Sequence, residues 1–212
     1  EDLADVAKLR PITIMSASFR LWSGLKYRQL RGWMEEVLPA AVVGGRPKGE
    51  VTSIILEVAI ALEESIAGLE EDPTFVVTTD FSKFFDGLDW RHLKLILKTL
   101  GIPSGLIGMY EGLYHQLVRH TGVGRFIDMQ GFRATNGIIQ GDALSLVWAA
   151  CALTPWAIRM KRWNKITPKI YVDDRYIIAR CAKQLQAAMY ETTRHDDMSN
   201  LMLNESKCMG TA

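Results

Sequence analysis

Tyr171-Val172-Asp173-Asp174 decides how this chain is read, because two adjacent carboxylates stand between β-rich arms, Lys169-Ile170-Tyr171-Val172 and Arg175-Tyr176-Ile177-Ile178-Ala179. The arms predict a hairpin whose turn presents acid. Upstream, the β-branched run Thr74-Phe75-Val76-Val77-Thr78-Thr79 reads as another strand and ends on Asp80. Two strands that each finish on a carboxylate can bring those groups together in space. Such a set suits Mg²⁺, a hard cation that takes oxygen ligands and is held at phosphoryl-transfer sites by one or two carboxylates plus substrate phosphates. Asp-Asp is also an ordinary turn dipeptide, since Asp tolerates left-handed backbone and bonds to its own chain. The company it keeps must therefore decide.

Working outward, Ser16 is placed to cap a helix over about 17–38, with Phe19, Trp22, Leu25, Leu30, Trp33, Met34 and Val37 as a broad apolar stripe. A glycine-rich loop follows. Residues 50–66 read as a second helix, its apolar face at Val51, Ile54, Ile55, Val58, Leu62 and Ile66, with Glu57, Glu63 and Glu64 facing out. Helices over 90–100 and 104–120 are separated by Gly101-Ile102-Pro103, where glycine ends one and proline starts the next. Short alternating segments around Gly131 and Asn136-Gly137 predict hairpin chemistry within 125–139. An apolar helix over about 144–163, a last helix over 184–198 and a short strand at 201–203 complete the order. Helices packed on one side of a mainly antiparallel sheet give an α+β fold. No internal repeat and no Gly, Ser or Pro linker divides the chain, so one domain or two intimately packed subdomains are expected.

A formal net charge of +1 says nothing by itself for nucleic acid, but the cations are clustered. Between Ala7 and Met34 six Lys or Arg occur with no acid, and between Leu153 and Ile170 five more, again with none. The stretch from Trp156 to Lys165 interleaves aromatics with cations, a composition suited to phosphate contact and base stacking. Trp156 and Trp163 are seven apart, which on a continuous helix places both on one face, more in keeping with core than with a stacking platform. Three cysteines, Cys151, Cys181 and Cys208, lack metal-ligand spacing, so a reduced intracellular compartment is expected. The scattered histidines His92, His115, His120 and His195 give no zinc pattern. The acidic start lacks a signal-peptide pattern, and no apolar run is expected to reach membrane-spanning length.

Five motifs in order resemble one family. Arg10-Pro11-Ile12 before a basic helix resembles the first fingers motif of reverse transcriptases, of the kind found in non-LTR retrotransposons and group II introns. Asp80-Phe81-Ser82-Lys83-Phe84-Phe85-Asp86 resembles that family's palm motif, and Asn136 to Ser145, with Gln140-Gly141 at its centre, the Gln-Gly motif. Tyr171 to Asp174 resembles the signature hairpin, and Leu203-Asn204-Glu205-Ser206-Lys207-Cys208 the lysine motif. Two departures stand out. Relatives usually have Pro before the Gln-Gly pair and Ser-Pro after it, whereas this chain has Ile139 and Asp142-Ala143, placing an extra carboxylate near the incoming nucleotide. Val43-Gly44-Gly45-Arg46-Pro47-Lys48-Gly49 only loosely resembles the second fingers motif.

The resemblance implies a right-hand polymerase, fingers over about 1–73 and palm over about 74–212 with room for a fingers insertion, the thumb expected after Lys207 being absent. It implies RNA-templated DNA synthesis at a primer 3′ hydroxyl, with Asp80, Asp173 and Asp174 catalytic and two Mg²⁺, or Mn²⁺, at Asp80, Phe81, Asp173 and Asp174. Lys8 and Arg10 would hold the triphosphate, Phe85 would lie beneath the sugar and exclude a 2′ hydroxyl, Gln140 and Gly141 would contact base or template, and Lys207 would protonate departing pyrophosphate. For each there is a plainer use: surface charge for Lys8, Arg10 and Lys207, core packing for Phe85, and a helix start for Gln140-Gly141. The implied partners are an RNA template, a DNA or RNA primer and dNTPs, within a longer polyprotein that works in the nucleus if the element is eukaryotic. Two other readings stay open: an RNA-dependent RNA polymerase, and an inactive nucleic-acid-binding remnant of a retroelement.

Overall fold

The computed structural model describes residues 12–69, 72–123 and 125–211; Lys8 and Arg10 lie outside the described residues. Helix α1 (Ala17–Val37) begins where Ser16 predicts, the Ser16 hydroxyl accepting from the Phe19 amide at 3.3 Å and so satisfying an orphan donor of the first turn. Its apolar stripe is narrower than the sequence suggests. Leu30 and Met34 are buried and Phe19, Trp22 and Trp33 pack from half-buried positions, whereas Leu25 and Val37 are exposed because α1 meets its neighbours along one side only.

Helix α2 (Val51–Ile66) keeps part of the expected face, with Ile54 buried and Val51, Val58 and Leu62 half-buried. Ile54 and Ala61 are its buried positions, and Glu57 and Glu64 share that inward face, where Glu57 bonds Lys169 at 2.7 Å and Glu64 bonds Arg180 at 3.1 Å. Ile55 and Ile66, assigned to the core by periodicity, are exposed. Cations on the neighbouring hairpin decide the rotation, because a helix with apolar residues nearly all round has no single face that the hydrophobic effect must choose.

Strand β1 (Phe75–Thr79) leads to Asp80, then to the short helix α3 (Phe84–Gly87), helix α4 (Trp90–Thr99) and helix α5 (Ser104–Gln116). Helix α5 stops four residues short of the expected end, because Arg119 leaves it to bridge Phe132. The hairpin expected near Asn136-Gly137 lies earlier, pairing β2 (Gly122–Val123) with β3 (Phe126–Ile127). Helix α6 (Ala143–Met160) is buried on nearly every side. It is long and apolar enough to cross a membrane by length and composition, which corrects the expectation that no segment is. Its apolarity has a local cause, since 72% of it is buried inside the protein. It ends at Met160, so Trp163 lies beyond it, and Trp156 is wholly buried, its indole N–H donating to Thr192 at 2.9 Å.

The signature hairpin is β4 (Ile166–Tyr171) and β5 (Asp174–Ala179), followed by α7 (Ala182–Ser199) and β6 (Met209–Thr211). The short strand expected at 201–203 shrinks to one bridge, Leu203 to Phe81. The main sheet runs β4-β5-β1-β6 with every pair antiparallel. Strand alternation turns Arg175, Ile177 and Ala179 toward α6 and α7, and Asp174, Tyr176 and Ile178 toward the other face. Helices α6 and α7 cover the first face and α2 reaches the far end of the second, which leaves the Asp174 end of that face for the site.

Candidate active site

Pairing register sets two of the predicted acidic residues in neighbouring positions. Strands β1 and β5 pair Phe75 with Ala179 through to Thr79 with Arg175, so one further step sets Asp80 beside Asp174. Neighbouring strands lie about 4.8 Å apart, within which two carboxylates can share a ligand. Tyr171 pairs with Asp174, leaving Val172 and Asp173 as the hairpin turn. Val172 sits at φ 60°, a left-handed conformation that costs a β-branched residue roughly 1–3 kcal/mol. The surroundings enforce it. The amides of Val43 and Gly44 both donate to the Ile170 carbonyl, at 2.9 and 3.1 Å, and the Ile170 amide donates to Ala41 at 2.8 Å.

Asp80 is held from the C-terminal side. Its carboxylate meets the Lys207 ammonium at 3.2 Å and the Asn204 amide at 3.4 Å, while its carbonyl accepts from the Asn204 backbone at 2.9 Å. The Ser82 amide donates to Met202 at 2.7 Å, so segment 202–207 wraps the turn after β1. Phe81 is buried, its ring under the Arg175 guanidinium at 4.3 Å, so only its main chain is available to an ion.

Beneath the carboxylates lies a sealed foundation that sequence reasoning missed. Arg175, next after Asp174, is buried and makes two 2.7 Å bonds to Asp196 of α7, with a third at 3.1 Å to the Thr79 hydroxyl. The guanidinium lies between the rings of Phe81 and Trp156, 4.3 and 5.1 Å from their centroids. Removing one member of such a pair strands a charge in low dielectric, a cost of about 3–5 kcal/mol. Nearby, burial, with Arg175 next in weight, lowers the His195 pKa to about 3, so the ring stays neutral there. A signal existed in the sequence: Arg175 falls at an inward position of a strand otherwise read as apolar.

The Gln-Gly segment docks on the other side. The Ile138 amide donates to the Phe85 carbonyl at 2.7 Å and the Gly137 amide to Leu88 at 2.8 Å. At Gly137, φ 88°, a Cβ would fall 2.7 Å from the Phe85 oxygen, so only glycine permits this approach. Tyr114, stacked on Trp90 with centroids 5.3 Å apart, accepts from the Ile139 amide at 2.5 Å and fixes the residue before Gln140. The Thr13 amide, just after Arg10-Pro11-Ile12 in sequence, donates to the Gln140 carbonyl at 3.1 Å, and Gln140-Gly141 form the turn before α6. Phe85 is half-buried, edge-on to Phe84 at 5.5 Å. The extra carboxylate of Asp142 is buried at the start of α6. Burial pushes its pKa up, against the pull of Ser23 and the first amides of α6, and neither oxygen makes a hydrogen bond of ordinary geometry.

Asp80, Asp173 and Asp174 offer only oxygen donors, the set a hard divalent ion takes. Among the described residues no group of three or more His, Cys, Asp and Glu side chains is drawn close enough to hold an ion, and Asp80 is engaged by Lys207. Mg²⁺ at phosphoryl-transfer sites needs only one or two protein carboxylates, the rest of its octahedron being substrate oxygen and water. The residues therefore fit the group.

An antiparallel sheet backed by helices, with acids at the end of one strand and the turn of its neighbour, defines the palm of a right-hand polymerase. The chain belongs to the reverse transcriptase (RNA-dependent DNA polymerase) family, whose profile matches residues 4–212. No curated protein sequence matches it. Its fold is similar to a telomerase from Candida albicans solved with a fragment of telomeric RNA (TM-score 0.60, 12% identity, 92% of this chain and 34% of that one). Apo telomerase from Candida tropicalis is similar too (TM-score 0.61, 12% identity, 92% and 36%). The chain thus spans about a third of the length of these solved proteins.

Proposed function

We propose that this chain carries out RNA-templated DNA synthesis, adding deoxynucleotides to a primer 3′ hydroxyl as part of a retroelement protein. The observation that carries the reading is the β1–β5 register, which sets Asp80 beside Asp174 at the mouth of the Asp173 turn. Asp80, Asp173 and Asp174 would hold two Mg²⁺, with the main chain of Phe81 adjoining. Bound there, the ions would activate the attacking hydroxyl and neutralise charge on the departing pyrophosphate.

The remaining work falls to the chain itself. Arg175, clamped by Asp196, fixes the strand that presents Asp174 and shields the carboxylates' foundation from water. Phe85, its backbone tied to Ile138, closes the floor under the sugar and rejects a 2′ hydroxyl by contact. Gln140 and Gly141 border the templating base, aligned by Tyr114 and Thr13. Lys207 sits on Asp80 and is placed to hand a proton to pyrophosphate oxygen once substrate draws it away. Lys8 and Arg10 complete the triphosphate grip.

Primer extension on an RNA template tests the reading. Wild type is expected to incorporate dNTPs in preference to NTPs, only with Mg²⁺ or Mn²⁺, and Asp80→Ala to abolish extension. Equal use of NTPs would favour the RNA polymerase alternative, and duplex binding without extension the inactive remnant.

A further inference from the structure

The loop over residues 41–49 lies directly on the hairpin turn. Val42 bridges Ile170 as a short parallel extension of the sheet, and two successive amides, Val43 and Gly44, donate to the same Ile170 carbonyl. At Gly44 the approach is closest: a Cβ built there would stand 2.2 Å from the Val172 amide nitrogen and 2.8 Å from the Tyr171 carbonyl carbon. Those are backbone atoms of the turn, so a methyl group cannot be accommodated by rotating a side chain away. The next residue, Gly45, has φ 78° and abuts the Leu146 carbonyl of α6, which fixes the loop's other flank.

Arg46 ties the loop back to α1. Its guanidinium donates to the carbonyls of Pro39, Val42 and Glu35, at 3.0, 3.3 and 3.2 Å, and to the Glu35 carboxylate at 3.0 Å. The side chain is 13% exposed, so its charge is spent inside the protein rather than on a ligand. A strap anchored at both ends thus presses a bare backbone against the one residue of the hairpin that is held in a left-handed conformation. A two-residue hairpin turn takes positive φ at its first central residue, and a β-branched side chain there bears a steric cost that outside support must offset.

We infer that Gly44 is a positioning residue for the catalytic turn: its missing Cβ lets the strap lie against Tyr171-Val172 and hold the left-handed geometry that sets Asp173 next to Asp174 and Asp80. This rests on the polymerase reading for its consequence and on geometry alone for its mechanism. Gly44 and Arg46 lie behind the turn, away from the substrate-facing carboxylates. They act through the turn.

The test uses the full chain with two readouts, primer extension and amide hydrogen exchange of the 166–174 segment. Gly44→Ala is expected to lower kcat about 100-fold, as a displacement of roughly 1 Å at a reacting centre does. KM for primer–template and dNTP should stay within about twofold, because only transition-state geometry is lost. Exchange over 166–174 should rise at least about tenfold, while α6 and α7 keep their protection. Adding Val172→Gly to Gly44→Ala should restore about tenfold of the lost kcat, since glycine holds φ near 60° without a strap. A defect of general folding would not be rescued at position 172. Should Gly44→Ala fail to fold, Arg46→Gln loosens the same strap and is expected to give about a tenfold loss of kcat with unchanged KM and faster exchange over 166–174. Unchanged exchange over 166–174 in both variants would overturn the inference, as would a loss of kcat that Val172→Gly does not relieve. A wild type that extends no primer overturns the polymerase reading instead, and the exchange readout still decides this one.

Discussion

The two faces of β5 treat charge in opposite ways. Asp174 presents a carboxylate on the uncovered face, beside Asp80 in the register of the sheet. One residue later Arg175 enters the core, sealed by Asp196, Thr79, Phe81 and Trp156. Asp80 on this face is reached by Lys207 and Asn204 from the chain's C-terminal segment. The sealed pair can serve no ligand, and its value lies in fixing where the open acids stand. Function thus sits on the solvated face of a strand and its accuracy on the dry face of the same strand.

The largest break in that comparison should come from Asp173→Ala. Loss of a carboxylate that we propose holds charge-neutralising ions is expected to cut primer extension by on the order of 10³-fold or more while leaving the unfolding midpoint within a few degrees. A comparable loss of stability would show that the open acids are structural. Next comes Arg175→Leu, expected to destabilise the fold by about 3–5 kcal/mol in urea unfolding because Asp196 is left charged and alone. Replacing both, Arg175→Leu with Asp196→Leu, should recover most of that stability but not the activity. If the double variant is as active as wild type, the foundation has no positioning role.

His195 sharpens the comparison through pH. Its folded pKa, near 3, lies below the ordinary value of 6.5, so the unfolded chain binds a proton that the folded chain refuses. Stability is therefore fully present above pH 6.5 and lost as pH falls toward 3. The slope approaches about 1.4 kcal/mol per pH unit for one proton. His195→Leu should flatten the acid limb of a stability–pH profile, and an unchanged limb would place the acid sensitivity elsewhere. The smallest effect is expected at Asp142, whose folded pKa burial raises above 3.8. A carboxyl of this kind favours the folded state at low pH and loses that contribution as pH rises through its folded pKa. Asp142→Asn should therefore gain about 1 kcal/mol at neutral pH, with the gain disappearing below pH 3.8.

Several elements were legible because local chemistry and tertiary context agree. Ser16 caps α1 where its position predicts, α4 and α5 are divided at Gly101-Ile102-Pro103, and β4 and β5 turn at Val172-Asp173. Other readings failed where a partner from elsewhere intervened. Ile55 and Ile66 look like core residues of α2 and are exposed, and α5 looks longer until Phe132 claims Arg119. The hairpin expected at Asn136-Gly137 did not form because Gly137 is used for close approach to Phe85 and Leu88. Asp142 looked exposed beside Gln140-Gly141 and is a buried helix start.

What the sequence determined by itself was the chemistry: acids at strand ends and turns, glycine beside Gln140, and five motifs whose order is specific to one family. Periodicity and turn propensity act over a few residues, so they survive without knowledge of the fold. Only the tertiary structure decided which carboxylates become neighbours, that Arg175 is buried under them, and that a backbone without a side chain at Gly44 lies against the turn. Those outcomes join Asp80 to Asp174 and Gly44 to Val172 across long stretches of the chain, and no local preference specifies contacts that exist only once the sheet has closed.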